Sequence, residues 1–206
     1  MRLRWSSRSP FVRKVMVVAH EAGLADRIER IPTVVSLART DAEVLARNPL
    51  GRIPTLVLPD GTALYDSVVI CEYLDGLRDG GPLLFPPAGP ARIEALRRHA
   101  LGSGFCEMLL LWRGERMREA PSAGMLEAFA LKARTALAAL EREAPALAAA
   151  PFGIGQVAVG CALSYLDFRF GEVLGGWRAD HPALAEWHAA GFRACPSVQA
   201  TEHVDA

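Results

Sequence analysis

Residues 48–75 read NPLGRIPTLVLPDGTALYDSVVICEYLD. Asn48, Pro49 and Gly51 stop any preceding helix, and Ile53-Pro54 opens a short apolar run, Thr55 to Leu58, with the composition of a strand. Proline has no N–H to give to a ladder, so Pro54 belongs at the first position of that strand or on an edge. A tight entry of this kind is where a cis X–Pro bond is expected. Ile53, just ahead of the strand, then keeps its backbone N–H and C=O open to an extended peptide. Pro59-Asp60-Gly61 is a turn, since proline presets φ at its first position and glycine accepts a positive one at its third. Ala63 to Tyr65 returns as the second arm of a hairpin. Asp66-Ser67 then precedes the apolar-periodic run Val68, Val69, Ile70, Tyr73, Leu74, which marks a helix capped by Asp66 or Ser67. The unsatisfied amides at such an end attract a carboxylate.

In combination, N-P-x-G-x-I-P-x-L, a hairpin and D-S-x-x-I-x-E-Y-L resemble the glutathione-binding half of cytosolic glutathione S-transferases, whose N-terminal domain has a thioredoxin-like fold. The resemblance implies that Ile53, flanked by Arg52 and Pro54, holds the cysteinyl part of glutathione by main-chain bonds. It implies that Asp66 and Ser67 hold the γ-glutamyl end. Read from the residues alone, the stretch is a hairpin followed by an N-capped helix.

Composition narrows the alternatives. The 206 residues suffice for one large domain or two small ones with a proper core. Lys plus Arg number 23 and Asp plus Glu 23, so no general charge favours nucleic acid or an anionic membrane as partner. The opening residues offer no continuous apolar leader, and no later apolar run is long enough to span a bilayer. Cys71, Cys106, Cys161 and Cys195 lie far apart without C-x-x-C spacing, which fits reduced, mostly buried thiols of a cytoplasmic protein. The histidines show no ligand cluster, so no metal is expected.

In chain order, Leu3 to Trp5 is a first strand, and the polar run Ser6-Ser7-Arg8-Ser9-Pro10 ends it. Pro10 suits the first turn of a helix, and Phe11, Val12, Val15, Met16, Val18 and Ala19 give that helix an apolar surface. Ser9 therefore stands at a helix start, either as a plain N-cap or as a hydroxyl able to favour a thiolate beside the positive end of the helix dipole. The segment S-P-F-V-R-K-V resembles one found in many bacterial members of the family, and the resemblance implies the second role. Ser7 and then Ser6 are the competitors, because serine classes differ in where the activating hydroxyl falls. With Ser at a position that related proteins fill with Cys, no enzyme thiol is available there for a mixed disulfide. Arg13 and Lys14 are expected to face outward, with Arg13 the more apt to be buried in an ion pair. Gly23 ends the helix, with His20 in its last turn. Ile28 to Val35, interrupted by Pro32, is an edge strand, and Thr40-Asp41 cap a short helix, so the first half reads βαβαββα.

The Gly- and Pro-rich residues 80–90 are read as a linker between a domain 1–79 and an all-helical domain 91–206. Helices are expected over Ala91 to Met117, with a bend or close helix approach at Gly102-Ser103-Gly104, and over Met125 to Ala144. Pro145 to Gly155 reads as a loop. A buried helix over Gln156 to Leu174 follows, then one from His181-Pro182 to Phe192. V-A-V-G-C-A-L-S-Y-L-D-F-R and H-P-A-L-A-E-W followed by P-S-V-Q-A-T resemble the helical domain of the same family. The family's usual capping box has Gly153 and Gln156 in its places here, so a weaker helix start is expected. Asp167 is expected to be structural, and His181 and His188 to share a solvated face.

The resemblance as a whole implies a homodimeric glutathione transferase. Glutathione thiolate near Ser9 would attack a hydrophobic electrophile in a pocket lined by Phe11, Phe105, Met108 and Trp112. Two other functions fit the same scaffold: a glutathione-dependent disulfide reductase or peroxidase working without an enzyme thiol, and a non-catalytic dimeric binding protein.

Overall fold

A computed structural model describes residues 1–36 and 38–205. The chain divides into two compact units, Met1–Pro87 with Ser197–Ala206, and Ala88–Pro196. The sequence reading keeps residues 91–206 together, whereas the closing ten belong with the first unit.

In the first unit β1 (Arg2–Trp5), α1 (Pro10–Glu21), β2 (Glu29–Pro32), α2 (Ala42–Leu45), β3 (Thr55–Val57), β4 (Ala63–Leu64) and α3 (Ser67–Gly76) follow one another. The sheet order is β2-β1-β3-β4. β2, with Pro32 at its end, is an edge strand as the proline requires. β1 pairs parallel with β2, Arg4 opposite Ile31. β3 pairs antiparallel with β1, Arg4 opposite Thr55, and β4 antiparallel with β3, Leu64 opposite Leu56. Leu3, Val15, Val18, Leu56, Ile70 and Leu74 are fully buried and form the core between the sheet and the paired helices α1 and α3. α1 is buried on more than its apolar stripe. Arg13 is 5 % exposed and Lys14 2 %, which corrects the outward-facing expectation. The Arg13 guanidinium donates to the Val198 carbonyl at 3.3 Å, and the Lys14 ammonium lies 5.6 Å from the centre of the Phe11 ring, a cation–π distance. In the last turn of α3 the Asp75 carboxylate accepts from the Leu84 and Phe85 amides at 3.0 and 2.9 Å, which fixes the first part of the expected linker.

The second unit is helical: α4 (Pro90–Arg116), α5 (Ala123–Ala149), α6 (Ile154–Leu174), α7 (Trp177–Asp180), α8 (Pro182–Glu186) and a wide turn over Trp187–Phe192. α4 runs through Gly102-Ser103-Gly104 without a break and packs on α6. A Cβ on Gly102 would stand 2.5 Å from the Ala158 backbone carbon, so of the two expectations there, close approach is the one realised. Pro145 lies inside α5, which continues to Ala149, where the sequence reading places a loop. Proline removes one N–H from the ladder, but the alanine run that follows has the highest helix propensity of any residue. The Glu141 carboxylate, one turn before Pro145, accepts from the Ala183 and Leu184 amides at 3.1 and 2.8 Å, which ties α5 to the start of α8. α6 starts without a side-chain cap, and Gln156 donates to the Pro151 carbonyl at 2.9 Å. No helix among the described residues is long and apolar enough to cross a membrane.

Candidate functional site

The pairing pattern brings three chain segments to one end of the sheet. Because Arg4 stands opposite Thr55, the end of β1 and the start of β3 lie side by side. Because Leu64 stands opposite Leu56, β4 leaves toward that same end. The Ser6–Ser9 loop, Ile53-Pro54 and the Asp66-Ser67 start of α3 therefore meet there. α1 and α3 both begin at this end, so the positive ends of two helix dipoles face it together.

Each segment presents polar groups in a distinct state. Ile53-Pro54 is cis, and ladder pairing begins only at Thr55. Among the described residues the Ile53 N–H and C=O carry no hydrogen bond. Ser9 is the N-cap of α1, and its Oγ accepts from the Val12 amide at 3.3 Å. A hydroxyl that accepts still has a proton to give, and among the described residues that proton has no acceptor. Ser7 differs, because its hydroxyl donates to the Val204 carbonyl at 2.7 Å. The Ser6 hydroxyl accepts from the Arg8 amide at 3.3 Å and turns the loop. Asp66 is the exposed N-cap of α3: Oδ1 accepts from the Val68 amide at 2.9 Å, and Oδ2 has no partner among the described residues. Ser67 is buried in the first turn. Arg52 is exposed, and its carbonyl is held in place by two donors from below.

Those donors identify a residue that the sequence reading takes only as a helix breaker. Asn48 is 1 % exposed. Its amide nitrogen donates to the Arg52 carbonyl at 3.1 Å and to Thr55 Oγ1 at 3.0 Å, and its oxygen accepts from the Leu50 amide at 3.0 Å. Thr55 Oγ1 in turn donates to the Arg52 carbonyl at 2.9 Å. Three of the four bonds available to an Asn amide are spent on shaping the loop that presents Ile53.

The four residues expected to line an apolar pocket fall in two classes. Phe105 and Trp112 are each 3 % exposed within the second unit. Trp112 packs on Phe170 with ring centres 4.9 Å apart and on Phe129 at 6.3 Å. Phe11 and Met108 keep part of their surface exposed.

The second unit holds a polar cluster of another kind. His188 is fully buried, which corrects the solvated-face expectation. Its Nε2 is 3.0 Å from the Ser164 hydroxyl, its ring stacks on Phe192 at 5.7 Å, and Nδ1 is 3.4 Å from Arg178. Arg178 forks onto Asp167 with two bonds of 2.6 Å, and the Trp177 indole donates to the same carboxylate at 3.0 Å. Burial pushes the Asp167 carboxyl up, but the Arg178 and Trp177 hydrogen bonds outweigh it and hold the group below the usual carboxylate range. Asp167 thus has the structural role expected of it. Among the described residues no group of three His, Cys, Asp or Glu is arranged to hold a metal ion.

Comparison with known proteins bears on the fold and the family. Residues 8–77 match the family model "Glutathione S-transferase, N-terminal domain" and residues 125–190 match "Glutathione S-transferase, C-terminal domain". The uncharacterized GST-like protein YibF of Escherichia coli K12 is 31 % identical over 90 % of this chain and 91 % of its own. A glutathione transferase family member from Pseudomonas fluorescens Pf-5, solved with bound glutathione, is 41 % identical, with 98 % of each chain covered and a TM-score of 0.92. A second structure of a family member from that organism, solved with bound S-(propanoic acid)-glutathione, is 40 % identical over 98 % of this chain and 99 % of the other, with a TM-score of 0.88. On the strength of its two matched domains and of relatives alike along nearly its whole length, the chain belongs to the glutathione S-transferase family.

Proposed function

We propose that the protein is a glutathione transferase of the serine type, in which Ser9 activates the thiol of bound glutathione for attack on a hydrophobic electrophile. The observation that carries this reading is the set of uncommitted polar groups at one end of the sheet: the Ile53 main chain, the Ser9 proton and Asp66 Oδ2. An extended tripeptide supplies their complements. Its cysteinyl N–H and C=O pair with Ile53 beside Pro54, and Arg52 flanks them. Its γ-glutamyl end, with an α-ammonium and an α-carboxylate, suits Asp66 Oδ2 and the amides at the start of α3 near Ser67.

The required chemistry is modest. A thiol pKa of about 8.5 must fall by one to two units, which is about 1.4 to 2.7 kcal/mol. The α1 dipole supplies about 0.3 to 1 kcal/mol, which is too little alone. A hydrogen bond to a charged group supplies about 1.5 to 3 kcal/mol, so the Ser9 hydroxyl is the larger contributor. The thiolate then forms a C–S bond to the electrophile. A leaving group departs with its electron pair, or, in an addition, the resulting carbanion takes up a proton. The electrophile is apolar, and Phe11, in the first turn of α1 beside Ser9, keeps surface to offer it.

We further propose a homodimer working in the cytoplasm, without nucleic acid, membrane or metal. Parent and Ser9→Ala proteins, assayed with glutathione against chloro-aromatic and enone electrophiles and, separately, against a hydroperoxide and a disulfide, test the reading. Conjugation that depends on Ser9 is the expected result. Activity confined to the peroxide or disulfide would move the function to glutathione-dependent reduction. Failure to bind glutathione would leave a non-catalytic binding protein.

A further inference from the structure

The Ser6–Ser9 loop is weakly held by the bonds within itself. Its internal bonds, Ser9 N–H to the Ser6 carbonyl at 3.2 Å and Arg8 N–H to Ser6 Oγ at 3.3 Å, are at the long end for hydrogen bonds. The shorter bonds come from almost two hundred residues away. His203 Nδ1 lies 3.0 Å from the Ser7 carbonyl, and the Ser7 hydroxyl donates to the Val204 carbonyl at 2.7 Å. A carbonyl only accepts, so His203 carries its proton on Nδ1. The carbonyl and the hydroxyl of Ser7 are thus held by two consecutive residues of the C-terminal segment.

That segment is itself tied along α1. Ser197 Oγ donates to the Glu21 carboxylate at 2.5 Å, at the end of the helix, and Val198 offers its carbonyl to Arg13, one turn after Ser9. Thr201 Oγ1 closes the turn between these anchors and the clamp, 3.1 and 3.0 Å from the Ser197 and Val198 carbonyls. The segment runs against the direction of α1, from its C-terminal end back to the loop ahead of its first turn.

We propose that residues 197–204 brace the thiol-activating loop, and that His203 is a positioning residue acting through Ser7 on Ser9. This rests on the reading of Ser9 given above. The benefit of a hydroxyl to a thiolate depends on its placement, and a displacement of about 1 Å costs up to a hundredfold in rate. Ser9 is joined to α1 on one side, where its carbonyl and Oγ accept from the Arg13 and Val12 amides at 3.0 and 3.3 Å; on the β1 side the clamp on Ser7, two residues ahead, adds the short bonds that the two long turn bonds lack.

The test uses the full chain and five variants: His203→Ala, His203→Asn, Ser7→Ala, Ser9→Ala and the double variant of His203→Ala with Ser9→Ala. The Asn side-chain amide sits where imidazole Nδ1 does. His203→Ala should lower kcat for conjugation about tenfold with KM for glutathione within about twofold, and speed amide exchange at Arg8 and Ser9. His203→Asn should restore most of kcat. On the Ser9→Ala background, His203→Ala should cost nothing more, since the group it positions is gone. Ser7→Ala, which breaks the other half of the clamp, should show a smaller loss of the same kind and serves if His203→Ala folds poorly. An equal loss on both backgrounds, or parent-like kcat and exchange in His203→Ala and Ser7→Ala, overturns the brace while leaving the Ser9 reading intact. A neutral Ser9→Ala overturns both.

Discussion

Each unit of this molecule carries a cluster of polar groups, and the two clusters differ in how they are satisfied. In the second unit, Ser164, Asp167, Trp177, Arg178 and His188 bond to one another. At the end of the sheet, the Ile53 main chain, the Ser9 proton and Asp66 Oδ2 bond to nothing among the described residues. Burying polar groups is tolerable only when they are satisfied. A closed network therefore contributes to stability and specifies packing, whereas an open set beside solvent is available to a ligand. The difference lies in which partners the polar groups have, since Ser, Asp and an aromatic neighbour occur in both clusters.

Substitutions should separate the two. The largest effect is expected from His188→Ala, which removes a fully buried ring stacked on Phe192 and the bond partner of Ser164. It should destabilise the protein by about 3 kcal/mol or more, read by denaturant unfolding, and leave glutathione affinity as in the parent. A loss of affinity with unchanged stability would erase the distinction. Next is Asp66→Ala, which should weaken glutathione binding by about 1.5 to 3 kcal/mol and cost about 1 kcal/mol of stability through the lost cap. Asp66→Asn keeps a capping oxygen and loses the charge, so calorimetry should show the affinity loss at a parent-like melting temperature. Equal affinity in Asp66→Asn and parent would make Asp66 a cap only.

The smallest effect is an acid-side one. Asp167 has its pKa held below the ordinary value, so its stabilising contribution is complete above about pH 4 and is lost as pH falls through the lower folded value. Arg178 is 41 % exposed on its side chain, so solvent screening keeps that contribution to about 1 kcal/mol. Asp167→Asn should lose that much near neutral pH and converge with the parent in acid. A constant gap across the range would mean that packing, and not the charge, matters there.

The open cluster was more legible in the sequence than the closed one. Pro54, the Ser9-Pro10 helix start and Asp66-Ser67 announce themselves locally, because capping and strand entry are set by residues one to four apart. The clamp on Ser7 involves partners separated by 196 and 197 positions, and no local pattern carries such a contact. Heptad spacing to His181 puts His188 on a solvated face only if one regular helix carries both. The chain instead breaks into α8 and a wide turn over Trp187–Phe192, which rotates the ring into the core. Pro145 misled for the opposite reason, since a breaker signal was outweighed by the alanines after it and by tertiary contacts of that turn. Asn48 shows a residue doing two jobs, of which only the helix-stopping one has a one-dimensional signature.

The central claim is that Ser9 lowers the pKa of bound glutathione's thiol. Ultraviolet titration of the thiolate in the binary complex measures this without any electrophile. The account predicts a thiol pKa one to two units below the free value of about 8.5 in the parent. In Ser9→Ala it should return most of the way to that value, with glutathione still bound and conjugating turnover down about ten- to a hundredfold. A bound thiol that titrates identically in parent and Ser9→Ala would contradict it.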